Sequence, residues 1–159
     1  MKKYIIEFIG TFFLVLIIGM TMYQLVQFGT PQLLAPFAIG GILMVMVYMG
    51  GPISGAHYNP AVTFAVLLRK KISSGEAMKY MGSQLLGAIA AATFVYLIFS
   101  AVLQPPSPAQ GFHYNIKPLI MEMLFTFALA SVVLNVATTK KAAGNSYFGL
   151  AIGFTVVAG

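Results

Sequence analysis

Residues 4–28 carry a single formally charged side chain, Glu7, in an otherwise apolar run closed by Gln24 and Gln27 near its far end. A helix rises about 1.5 Å per residue, so a run of this length crosses a hydrocarbon core of about 30 Å. Comparable runs cover residues 33–50, 76–103 and 118–138. Each reads as a membrane-spanning helix. Gly29-Thr30-Pro31, Gly50-Gly51-Pro52 and Gln104-Pro105-Pro106-Ser107-Pro108 read as the breaks between them, and Pro118 suits a helix opening. The expected fold class is therefore an all-α membrane protein. Composition agrees: 8% of the 159 residues are charged, against about 25% in a soluble domain that must cover its surface with them.

The net charge of +6 does not indicate nucleic acid, because the basic residues sit in short clusters between apolar runs and form no face interleaved with aromatics. With no Cys in the chain, disulfides and thiolate metal sites are excluded, and with no Trp any aromatic belt at the interface falls to Tyr. Lys2-Lys3 followed by an apolar run has the look of a secretory signal. The run is too long for one and lacks a small-residue cleavage site, so it is read as a retained first span. A fifth apolar run begins at Tyr147 and reaches Gly159 after about a dozen residues, about 18 Å as helix. The expectation is that the sequence breaks off inside a span.

One segment fits no full span. Residues 60–68 are apolar enough for a membrane but about half the length needed, and Arg69-Lys70-Lys71 follows at once. The charges decide how it lies. Lys and Arg favour the cytoplasmic side, and they fall at Lys2-Lys3, Arg69-Lys70-Lys71, Lys79 and Lys140-Lys141, with Lys117 alone elsewhere. If 60–68 dips in and returns on the same side, every basic residue but Lys117 lies inside together with the N-terminus. If it crosses, Lys140-Lys141 falls outside. The expected topology is multi-pass, N-terminus cytoplasmic, with a re-entrant half-helix.

The sequence also echoes itself. Residues 6–12 and 121–127 share Glu-x-x-x-Thr-Phe, with Glu122 standing 115 positions after Glu7. On this topology the two copies start on opposite sides, the mark of an inverted repeat. In the re-entrant segment, Pro60 at a first helical position sacrifices no hydrogen bond. Asn59 can then cap the helix with its side-chain oxygen and keep its NH2 free as a donor. The residues before it, Gly55, Ala56, His57 and Tyr58, are expected to run extended, with carbonyls that need water as a partner.

Ser54-Gly55-Ala56-His57-Tyr58-Asn59-Pro60-Ala61-Val62-Thr63 resembles the first Asn-Pro-Ala signature of the aquaporin, or major intrinsic protein, family. The paired Glu-x-x-x-Thr-Phe starts and Gln84-Leu85-Leu86-Gly87-Ala88 resemble it as well, so the likeness spans the chain. The resemblance implies a right-handed helical bundle with a re-entrant half-helix and inverted repeat, incomplete at its C-terminus. A second Asn-Pro-Ala loop would then be expected near about residue 174, by the same repeat. It implies a passive channel for water or small uncharged solutes such as glycerol, closed to ions and protons, in the cell membrane. No cofactor or metal is implied. Its partners would be the lipid bilayer and further copies in a homotetramer. The resemblance makes Asn59, Pro60 and Ala61 the pore motif and Gly55, Ala56, His57 and Tyr58 a carbonyl ladder. Ile39 falls at the outer constriction, where an aliphatic residue bears on strict selectivity for water.

Glu7 and Glu122 admit two readings. Intramembrane carboxylates can be coupling groups of a proton- or ion-driven transporter. They can also anchor loop N–H groups, which the resemblance favours, with Gln84 beside them. Ser54 and His57 invite a nucleophile–base reading, but no acid orients them and no oxyanion hole is visible. A metal reading of His57 fails on ligand count: His113 is the other His, and Asp and Cys are absent. The small residues Gly82, Ser83, Gly87, Ala88, Ala90, Ala91 and Ala92 are expected to pack helices closely. Phe112, His113 and Tyr114 are expected in a surface loop.

Overall fold

The structure, a computed structural model, describes residues 1–28, 34–99 and 116–159. Among them are six α-helices and no strand. These are α1 (Lys2–Phe28), α2 (Leu34–Ser54), α3 (Pro60–Leu68), α4 (Ser74–Phe99), α5 (Ile116–Thr138) and α6 (Phe148–Ala158). A 3₁₀ turn at Lys140–Ala142 precedes α6. By length and composition α1, α2, α4 and α5 can each cross a membrane.

Large apolar side chains line the outside, among them Phe37, Leu85, Leu86, Leu97 and Phe127. Lipid tails are as apolar as Leu, so helix association in a bilayer depends on close packing and polar contacts. The contacts follow that rule. α4 turns the stripe Ala77, Tyr80, Gln84, Gly87, Ala91 and Val95 toward α1. A Cβ on Gly87 would stand 2.5 Å from the Phe8 carbonyl oxygen, so only hydrogen fits there. α2 and α6 cross at a pair of glycines, where a Cβ on either Gly40 or Gly153 would lie 2.5 Å from the other's carbonyl oxygen. The core between these pairs gathers Leu43, Val47, Ala56, Tyr58, Val62, Val66, Val133 and Ile152. Not all the small residues of α4 pack: Gly82 faces open space and Ala92 is exposed, because the helical period carries them off the stripe.

One end of the bundle collects the cations. Lys3 Nζ meets Glu76 Oε1 at 2.9 Å, joining the starts of α1 and α4. Lys79 lies over the Tyr4 ring. Arg69, Lys70 and Lys71 sit in the turn leading into α4, and Lys71 shares a cavity with Thr138 and Ala142 at the end of α5. α1 therefore starts where α5 ends, and their Glu-x-x-x-Thr-Phe segments run in opposite directions.

Three boundaries differ from expectation. α2 does not close at Gly50-Gly51-Pro52 but runs on to Ser54. Its glycines are needed as contacts rather than as breakers: a Cβ on Gly50 would collide with the Tyr58 hydroxyl, and one on Gly51 would press on Phe148. α4 starts at Ser74, two residues before the apolar run, because Ser73 caps it. The Ser73 hydroxyl accepts from the Glu76 N–H at 3.2 Å, as an N-cap three residues before Glu does. α5 opens at Ile116, so Pro118 occupies the third position, where its missing N–H is still one of the helix's free donors. Residues 29–33 and 100–115, which hold the Gly29-Thr30-Pro31 and Gln104–Pro108 breaks and Phe112, His113 and Tyr114, lie outside the described residues.

Candidate functional site: the loop before the half-helix

The nine residues of α3 span about 13 Å. Its start lies deep in the bundle: Tyr58 meets α1 at Thr11, eight residues from Lys3, about 12 Å along the axis. A helix that begins near mid-depth and ends at exposed Arg69 enters and leaves on one side. The Asn59 side-chain oxygen accepts from the Ala61 N–H at 2.7 Å, and Pro60 is the first helical residue. The Asn59 NH2 donates to none of the described residues, and the residue borders an open cavity. The partial positive end of α3 points the same way.

The four residues before Asn59 do not run extended throughout. Gly55, Ala56 and Tyr58 have φ of 89°, 52° and 51°. The left-handed region costs a residue with a Cβ about 1–2 kcal/mol, so Ala56 and Tyr58 must be held there. Glu7 holds them. Its side chain is wholly buried, and its two oxygens take four donors. Oε1 accepts from Ser54 Oγ at 2.6 Å and the His57 N–H at 3.1 Å. Oε2 accepts from the Tyr58 N–H at 2.8 Å and Gln84 Nε2 at 2.7 Å. Every lone pair of the carboxylate is used. The Ser54 hydroxyl in turn accepts from the Ala56 N–H at 3.0 Å. The amides of His57 and Tyr58 thus turn to Glu7 on α1 and that of Ala56 to Ser54 at the end of α2, and the carbonyls of Gly55, Ala56 and His57 find no partner among the described residues.

A second ring of contacts supports the first. Thr11 Oγ1, with one proton to give, lies 2.8 Å from the Glu7 carbonyl and 3.1 Å from the Tyr58 carbonyl, and the Tyr58 hydroxyl donates to the Met46 carbonyl at 2.9 Å. The Tyr58 ring fills the space a Cβ on Gly10 would need. Tyr80 donates to the Ser54 carbonyl at 2.7 Å. Thr63 donates to the Asn59 carbonyl at 3.1 Å and accepts from Gln84 Nε2 at 2.9 Å. His57 Nδ1 lies 3.1 Å from the same Thr63 oxygen. Ser54 and His57 are thus committed to different partners and form no nucleophile–base pair. Among the described residues no three His, Cys, Asp or Glu side chains could share a metal ion.

Two cavities meet at this loop. One, about 550 Å³, opens at the cationic end between Gly55, His57, Lys71, Val133, Asn145 and Ile152. The other, about 310 Å³, lies beyond, bordered by Ile39, Ala56, His57, Asn59, Glu122 and Thr126. His57, Val133 and Ile152 border both. Ile39 and Asn59 therefore share a cavity, whereas Glu122 is exposed there and makes no hydrogen bond with the described residues. Among the described residues Glu7 and Thr11 grip a loop, and Glu122 and Thr126 border the cavity. Thr11, Thr63 and Tyr80 were not singled out by the sequence. Thr11 left a signal as the Thr of the repeated Glu-x-x-x-Thr-Phe, and Thr63 as the last residue of the Ser54–Thr63 segment.

Paired spans of opposite direction around a capped half-helix define a helical membrane protein of the re-entrant, inverted-repeat kind. The family model for major intrinsic proteins matches residues 1–159. The glycerol uptake facilitator protein-like 6 of Lactiplantibacillus plantarum is 36% identical over 98% of this chain and 72% of its own length. Aquaporin NIP3-1 of Arabidopsis thaliana is 34% identical over 98% of this chain and 51% of its own. Human aquaporin-4 is 34% identical over 80% of this chain and 41% of its own. The chain belongs to the major intrinsic protein family. It spans about half the length of most of the curated relatives it matches.

Proposed function

We propose that the protein is a passive channel of the cell membrane for water or small uncharged solutes, and that it excludes ions and protons. The observation that carries this reading is the row of unpartnered carbonyls at Gly55, Ala56 and His57 beside two cavities that meet at His57. A carbonyl left bare in lipid costs several kcal/mol, roughly, so the row needs mobile donors, and water or a polyol supplies them. The Tyr58 carbonyl, 3.1 Å from Thr11 Oγ1, extends the row toward Asn59. Asn59 then offers its NH2 to a passing oxygen at the positive end of α3, which opposes cations and orients water against proton relay. Pro60 and Ala61 set the helix start. Ile39 contributes to the outer constriction. Glu7 and Gln84 anchor the loop, and Glu122 is the equivalent anchor for a second loop. Names among the relatives, aquaporin and glycerol uptake facilitator, support both water and glycerol as solutes.

The N-terminus faces the cytoplasm, supported by the clustering of cations at one end of the bundle. Homotetrameric assembly is carried from the family resemblance. A coupled transporter using Glu7 and Glu122 is supported less well, because a proton on either Glu7 oxygen would displace one of four donors. Stopped-flow swelling of proteoliposomes separates the two. The channel reading expects water or glycerol flux without a pH gradient and without ionic current. Flux that requires a pH gradient would overturn it.

A further inference from the structure

The cations at the end of α3 have no counter-ion among the described residues. The chain has three acidic residues. Glu7 is buried with its lone pairs filled by loop donors, Glu76 is taken by Lys3, and Glu122 borders the far cavity. Lys79 is seated on Tyr4. Arg69, Lys70 and Lys71 are exposed and make no side-chain hydrogen bond or ion pair with the described residues. Their backbone closes α3 tightly: the Lys71 N–H reaches the Val66 carbonyl at 3.1 Å and the Lys70 N–H the Leu67 carbonyl at 2.8 Å. In such a C-terminal turn the left-handed residue is usually Gly or Asn. Here it is Lys70, with φ 57°, so a cation occupies a position that backbone geometry would give to glycine. Immediately below, Phe64 and Leu68, one turn apart on α3, are 52% and 67% exposed. The surface is an apolar stripe beside three cations that have no ion-pair partner among the described residues.

We propose that Arg69, Lys70 and Lys71, with Phe64 and Leu68, bind an anionic phospholipid from the leaflet on the N-terminal side of the membrane. The cations hold the headgroup phosphate and the stripe lies along an acyl chain. This rests on α3 being re-entrant and does not depend on what the channel carries. A basic residue near an anionic membrane surface strengthens attraction about 5-fold, and three together on the order of 100-fold.

Native mass spectrometry of the detergent-solubilised protein, titrated with phosphatidylglycerol and separately with phosphatidylcholine, tests it. The combined Arg69→Gln, Lys70→Gln and Lys71→Gln variant should lose phosphatidylglycerol affinity by at least 10-fold and leave phosphatidylcholine unaffected. Lys70→Gly relieves the left-handed strain as it removes one charge, so it should melt no lower than the parent yet bind phosphatidylglycerol about 5-fold more weakly. Lys140→Gln with Lys141→Gln should change affinity by less than about 3-fold. Unchanged phosphatidylglycerol binding in the triple variant and in Lys70→Gly would overturn the proposal. So would an equal loss for both lipids, displacement of the lipid by millimolar inorganic phosphate, or an equal loss in the Lys140/Lys141 variant.

Discussion

Glu7 sets the conformation of a loop some fifty residues away in sequence. Hydrogen bonds to a charged group are worth about 1.5–3 kcal/mol each, and a donor left buried without its acceptor costs more. Glu7→Gln puts an NH2 against amides that are themselves donors. It should destabilise the protein by about 3 kcal/mol or more, read as a lowered unfolding midpoint in detergent by circular dichroism. Unchanged stability would mean the four contacts to Glu7 are not what holds the loop. Two glycines make a sharper pair. Gly10 is covered by the Tyr58 ring, which is 1% exposed and has nowhere to go, while Gly82 faces open space on an exposed part of α4. Gly10→Ala should cost about 1–3 kcal/mol through overpacking. Gly82→Ala should be neutral or stabilise by up to about 1 kcal/mol through helix propensity. The same assay reads both, and equal effects would contradict the packing described here.

At the scale of the element, α4 begins where Ser73 caps it, and Ser73→Ala should cost about 1 kcal/mol. A loss below a few tenths would show the cap to be idle. How far each element was legible follows from where its determinants lie. The long helices could be read because lipid demands an unbroken apolar run and the run is local. The start of α3 could be read because Asn-Pro carries both the cap and the first-turn proline in two adjacent letters. The loop before it could not. No glycine marks Ala56 or Tyr58 as left-handed, so extended backbone was the natural expectation. The strain is held by Glu7, Ser54 and Tyr80 on three different helices. Gly50-Gly51-Pro52 misled for the reverse reason: the letters of a breaker were spent on close contacts with Tyr58 and Phe148. Tyr80 leaves no pattern on its own helix, since it matters only for the group it meets across the bundle.

At the scale of the molecule, the account depends on a half-helix that begins near mid-depth and returns to the side it came from. Parity follows at once. Reporters fused at Met1 and after Lys141 should report the same side of the membrane, and opposite sides would mean that residues 60–68 cross. The direct test uses a chain with no native Cys, so that a single introduced thiol is unique. Ala61→Cys, Leu68→Cys and Arg69→Cys are each exposed to membrane-impermeant maleimide from one side and then the other. Arg69→Cys should react fast from the N-terminal side alone, Leu68→Cys more slowly, and Ala61→Cys slowest of the three. Equal, fast reaction of all three from the N-terminal side would place the segment flat on the headgroups, and labelling of Arg69→Cys from the opposite side would make it a full span; either result contradicts the account.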